Sequence, residues 1–207
     1  MSVRRGTYAR HGDTVVPSER QRVFIEAARR EFVRNGYGAS SIRTIAQEAG
    51  VSLSALYYHY KNKQDLLLAI LIDGVNAFDA MCDEELSRVG DDPVERLRAL
   101  VFALVRFRTT CQEQSLMIGT EVRNLEPENA AVYEQRRRSG NELLGSIIED
   151  GVKSGAFTTP YPEDCRRSIL AMTTSIANWY DPDGPDTPAD IAARYGDLAL
   201  LLLQPRP

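Results

Sequence analysis

Residues 40–66 read SSIRTIAQEAGVSLSALYYHYKNKQDL, and this run decides the fold. Ser40 or Ser41 can cap a helix whose inward positions, Ile42, Ile45, Ala46 and Ala49, recur at the i, i+3, i+4, i+7 spacing of one helical face. Gly50 follows where a left-handed backbone closes a helix, with Val51 placed to tuck beneath the turn. Ser52 can cap a second helix at once. It spans Leu53 to His59, with Leu56 as the main inward anchor. Asn62, with Asp65 three residues on, then starts a third and much longer helix. Two short helices set at a tight corner and braced by a long one form a helix-turn-helix.

The second short helix leaves Ser52, Leu53, Ser54, Ala55, Tyr57, Tyr58 and His59 to face outward or to bridge to neighbouring helices. Aromatic and small polar side chains on such a helix suit base edges and phosphates in a DNA major groove. Lys63 falls in the first turn of the long helix, where free N–H groups and the helix dipole favour an anion such as a DNA phosphate. With Arg43 and Thr44 at the start of the preceding helix, these residues form the expected DNA-binding set.

The run IRTIAQEAGVSLSALYYHYKNKQDL resembles the DNA-binding signature of the TetR family of bacterial repressors, over about a third of the chain once the preceding helix is included. Two positions depart from that pattern. Ala55 stands where many members have Gly, and Tyr60 where Phe is usual. The resemblance implies an all-α chain: an N-terminal three-helix DNA-binding domain, joined by a long helix to a C-terminal helical ligand-binding and dimerisation domain. It also implies a homodimer through the last two helices, bound to palindromic double-stranded operator DNA and released by a small-molecule effector.

Composition agrees with a regulator rather than a catalyst. Net charge is −4, yet residues 1–63 hold eleven Lys and Arg against five Asp and Glu, and residues 64–207 hold fourteen against twenty-four. A basic head on an acidic body docks on a polyanion by one end. His11 and His59 are the only histidines, one in a tail and one beside the reading helix, so Ser-His-Asp and Cys-His chemistry lack a base. No Gly-rich phosphate loop occurs. Cys82, Cys111 and Cys165 lack metal-ligand or redox spacing and read as small buried hydrophobes, with redox sensing as the other option. No enzyme activity, cofactor or metal is expected. No apolar run reaches the ~18 residues of a membrane span, and the N-terminus lacks a signal-peptide core, so a cytoplasmic protein without membrane contact is expected.

The sequence divides into a basic arm (1–17), a DNA-binding domain (18–64) and a ligand-binding and dimerisation domain (65–207). The arm either follows a groove or is a solvated tail. Ser18 caps a first helix to about Asn35 with Val23, Ala27, Ala28 and Phe32 inward, stopped by Gly36 and Gly38. The long helix runs to about Arg88, and Gly74 suggests a bend. Asp92 and Pro93 open a helix whose apolar stripe ends on Arg108, a guanidinium that meets a carboxylate, reaches the surface or awaits an anionic ligand. Further helices are read over Ser115 to Leu125, from Pro127 to about Gly155, from Glu163 to Tyr180, and from Pro188 to Leu203. A cavity is expected among Phe78, Met81, Phe102, Val105, Arg108, Met117, Tyr133, Arg137, Asn141, Met172 and Trp179. The pairing face is expected at Ser168, Ala171, Ser175 and Asn178, which let another helix come close, with Ile191, Tyr195, Leu198 and Leu202. The segment NWYDPDGP (178–185) resembles a TetR subgroup sensing acyl-CoA thioesters of fatty-acid or steroid breakdown, which implies an acyl-CoA effector. An unrelated apolar drug or metabolite, or an effector-independent accessory DNA-binding protein, are the alternatives.

Overall fold

The computed structural model describes residues 17–205, without the side chains of residues 139 and 141. Among these residues the chain forms α1 Glu19–Ala39, α2 Ile42–Glu48, α3 Leu53–His59, α4 Lys63–Leu86, α5 Pro93–Thr110, α6 Gln112–Glu121, α7 Pro127–Ser154, α8 Pro162–Trp179 and α9 Pro188–Leu203. The all-α architecture is as expected. Residues 1–16 of the expected arm lie outside the described residues.

Helices begin where a side-chain oxygen can accept a free N–H. Capping boxes pair Ser18 with Gln21 at α1, Ser41 with Thr44 at α2 and Thr187 with Asp190 at α9. Ser52, Asn62 and Asp92 cap α3, α4 and α5. Each such cap stabilises its helix by about 1 kcal/mol. Helices as short as α2 and α3 do not persist alone; Ile45, Ala46 and Leu56 bury them against α1 and α4. Between them Gly50 takes φ 65°, and the Val51 N–H donates to the Ala46 carbonyl at 3.0 Å, closing the corner.

Several expected details are corrected. Val23 is 45% exposed, and Phe24 and Ile25 are the buried side chains of that turn, whereas Ala27, Ala28 and Phe32 are buried as expected. Helix α1 does break at Gly36, at φ 74°, as expected after Asn35, but a further helical turn carries it on to Ala39. Helix α6 begins at Gln112, three residues before Ser115. Gly74 is buried inside α4 to let α6 approach: a Cβ there would lie 3.0 Å from Ile118 Cδ1 and 3.3 Å from Gln114. Close packing, not a bend, explains that glycine.

The core forms two clusters. Helix α5 is the axis of the body, burying Leu97, Leu100, Val101, Leu104 and Val105 against α4, α7, α8 and α9. Gly151 of α7 lies so close under the Phe157 ring that a Cβ would overlap it. The Leu203 carbonyl accepts from the N–H groups of Thr158 and Thr159, tying the end of α9 to that turn. The head cluster joins α1–α3 to Leu66, Leu67, Ile70, Leu71 and Val75 of α4. Met117 of α6 and Tyr133 of α7 belong to it as well. Apolar packing therefore does not divide at residue 64.

Candidate nucleic-acid interface and body site

Leu56 is fully buried and fixes which side of α3 faces out. Tyr58 stands 86% exposed and Tyr57 48%, with Ser54 exposed beside them. His59 is partly covered, its ring 5.3 Å from Phe24. Leu53 and Ala55 are half-buried, and the Ser52 hydroxyl is occupied as the cap, accepting from the Ala55 N–H at 3.2 Å. The outward set of the expected group thus narrows to Ser54, Tyr57 and Tyr58.

Around α3 the cations divide. Arg43 and Lys61 are exposed and have no charged partner among the described residues. Sequence reasoning passed over Lys61, although its place between the end of α3 and the Asn62 cap was visible. Arg30 and Arg34 instead clamp Glu48, at 2.9 and 3.1 Å; Arg34 first, then Arg30, holds that carboxyl below its ordinary range. Thr44 is exposed, and its hydroxyl donates to the Glu31 carboxylate at 3.1 Å, joining α2 to α1. Lys63 is the clearest correction. Its ammonium donates to the carbonyls of Tyr37 at 2.6 Å and Ser40 at 2.9 Å and lies 4.2 Å from the Tyr37 ring centre. A cation at the last carbonyls of α1 satisfies acceptors that the helix leaves open, and it is not presented to a phosphate.

The expected cavity residues do not all converge. Val105 is fully buried in the body core, whereas Met117 and Tyr133 are buried in the head cluster. Phe78, Met81, Phe102 and Met172 are half-buried around the body core. Arg137 points outward and pairs with Glu134 at 3.1 Å. It is Arg136 that turns inward, to Asp79 at 2.6 Å and Asn76 at 2.7 Å on α4. Trp179 is 46% exposed and stacks on Tyr195. The Asn141 side chain lies outside the described residues. A surface groove of about 130 Å³ lies elsewhere, between α7 and the start of α8 at Gly145, Ile148 and Arg166.

Arg108 stands apart. Its guanidinium donates to Ser115 Oγ at 2.7 Å and reaches Thr174 Oγ1 at 3.4 Å. It lies 5.4 Å from the Phe107 ring centre. Its Nε is shielded from solvent and lacks a hydrogen-bond partner. Among the described residues no carboxylate pairs with it, and burial pushes its pKa down while Tyr133 acts the other way.

On α8, Ser168, Ala171, Ser175 and Asn178 are all exposed, as are Leu198 and Leu202 on α9. Leu201, missed in the sequence because it falls beside the expected stripe, is 72% exposed. Ile191 is withdrawn from this face: it is fully buried in its own body. Tyr195 is half-buried. Among the described residues no helix is long and apolar enough to cross a membrane.

Residues 24–70 match the family model described as bacterial regulatory proteins, tetR family, and residues 90–203 match that of the tetracyclin repressor-like C-terminal domain. The chain belongs to the TetR family. It is a DNA-binding transcriptional regulator. This TetR-family chain is 25% identical over 189 residues to the transcriptional repressor KstR2 of Mycolicibacterium smegmatis, covering 90% of each. It superposes on a tetR-family regulatory protein from Rhodococcus RHA1 with a TM-score of 0.82 and 29% identity, covering 92% of this chain and 100% of that one. It is also similar to AibR, solved in complex with isovaleryl coenzyme A and operator DNA. There the TM-score is 0.78 and the identity 28%, over 91% of this chain and 100% of that one.

Proposed function

We propose that this regulator is a homodimeric repressor without catalytic activity, released from a palindromic operator by an acyl-CoA thioester bound in its helical body. The observation that carries the reading is the exposed face of α8 and α9, small residues on one helix and leucines on the other. A second copy packed there forms a four-helix bundle and sets two α3 helices the roughly 34–36 Å apart that successive major-groove turns require. Ser54, Tyr57 and Tyr58 then read bases, while Arg43 and Lys61 hold phosphates. An effector need favour the non-binding arrangement by only about 1–3 kcal/mol to weaken operator binding by about 5–150-fold. The acyl-CoA class is supported by the isovaleryl coenzyme A held by AibR. The test is a titration of the chain against its own upstream intergenic DNA with and without a panel of acyl-CoA esters. Release by one ester is expected; tight binding indifferent to all of them would favour an effector-independent DNA-binding protein.

A further inference from the structure

We propose that Arg108 is the polar anchor of the effector site, and that it reads an acceptor oxygen at the apolar end of the effector, a thioester carbonyl or a carboxylate. The inference rests on the effector reading and deepens it. A half-buried guanidinium without a carboxylate bears a desolvation cost that no opposite charge offsets. Here the shielded Nε has a donor to give and nothing to receive it, beside the hydroxyls of Ser115 and Thr174 and within electrostatic range of Tyr133. Two of the guanidinium nitrogens reach hydroxyl oxygens of the chain, and the shielded Nε is the donor for which the chain supplies no acceptor. A phosphate group favours several cations and water. One half-enclosed guanidinium among hydroxyls suits a single oxygen carried on an apolar body.

The place is also suited to signalling. Ser115 lies on α6, whose Met117 is packed in the head cluster, and Tyr133 is packed there too. An acceptor that draws Arg108 away from Ser115 therefore acts on α6, an element already inside the core that holds Leu56 of α3.

The test uses the full chain and Arg108→Met, with isovaleryl-CoA, isovalerate and free CoA as probes, read by calorimetric titration, by thermal melting without probe and by operator binding. The expected result is a variant whose melting temperature rises by about 2–4 °C. It binds isovaleryl-CoA at least about tenfold more weakly and holds the operator as before without ester. Isovalerate bound in an Arg108-dependent manner identifies a carboxylate reader; the ester alone identifies a carbonyl reader. A lower melting temperature in Arg108→Met would overturn the proposal by making the cation structural, and so would unchanged ester affinity. Arg108-dependent binding of free CoA would overturn the apolar-end assignment. If the wild-type chain takes none of the three probes while the variant is more stable, the acyl-CoA reading fails and the unpaired anchor stands. If Arg108→Met does not fold, Arg108→Lys keeps the charge without the planar fork, and undiminished ester affinity in that variant overturns the anchor.

Discussion

Arg43 and Lys63 carry the same charge and do different jobs, and two substitutions separate them. Arg43→Ala is expected to reduce the slope of log affinity against log salt by about one and to leave the melting temperature unchanged, because the side chain is exposed and has no charged partner among the described residues. Lys63→Ala is expected to leave that slope alone and to cost about 1 kcal/mol of stability, since the carbonyls of Tyr37 and Ser40 lose their donor. Parallel salt titrations and melts check both. Tyr58→Ala removes a side chain that packs little against its own chain; stability is expected to change by less than about 0.5 kcal/mol, while preference at particular base pairs shifts by about 1–3 kcal/mol. Residue-level roles were only half legible in the sequence. The outward position of Tyr57 and Tyr58 followed from helical spacing, but nothing in the spacing of Lys63 tells that the end of α1 lies within its reach.

Short helices make the reading motif depend on few side chains. Leu56 is the single fully buried residue of α3, so Leu56→Ala is expected to destabilise the protein by about 2–5 kcal/mol and to abolish specific binding before the body helices unfold. Circular dichroism alongside DNA titration checks this order of loss. Gly151→Ala is expected to cost about 1–3 kcal/mol through overlap with Phe157, measured as a lower urea midpoint with an unchanged slope. Elements were the most legible scale. Ser41, Ser52, Asn62, Asp92 and Pro127 announce their helices because capping and first-turn proline effects are local. Non-local packing was hidden: Gly74 faces α6, distant in the chain, and which of Arg136, Arg137 and Arg138 turns inward is decided by Asp79 on another helix.

For the molecule as a whole, the proposed bundle predicts that Leu198→Glu combined with Leu201→Glu yields a folded monomer. Sedimentation should show the halved mass, and operator affinity should fall by at least about 100-fold as one half-site contact is lost; a variant that remains dimeric would move the pairing face elsewhere. The overall polarity of the chain, a basic head and an acidic body, was legible at once because it needs only counting. That the head core takes in Met117 and Tyr133 was not, and it bears on protein engineering. Anyone transplanting this head onto another sensing body cannot cut in the loop after α3 or along α4. Met117 and Tyr133 would stay behind, and the graft would carry a hole in the core where α6 and α7 pack on the head. Helix α6 and the opening turns of α7 must travel with the head, so the smallest portable unit is a discontinuous one.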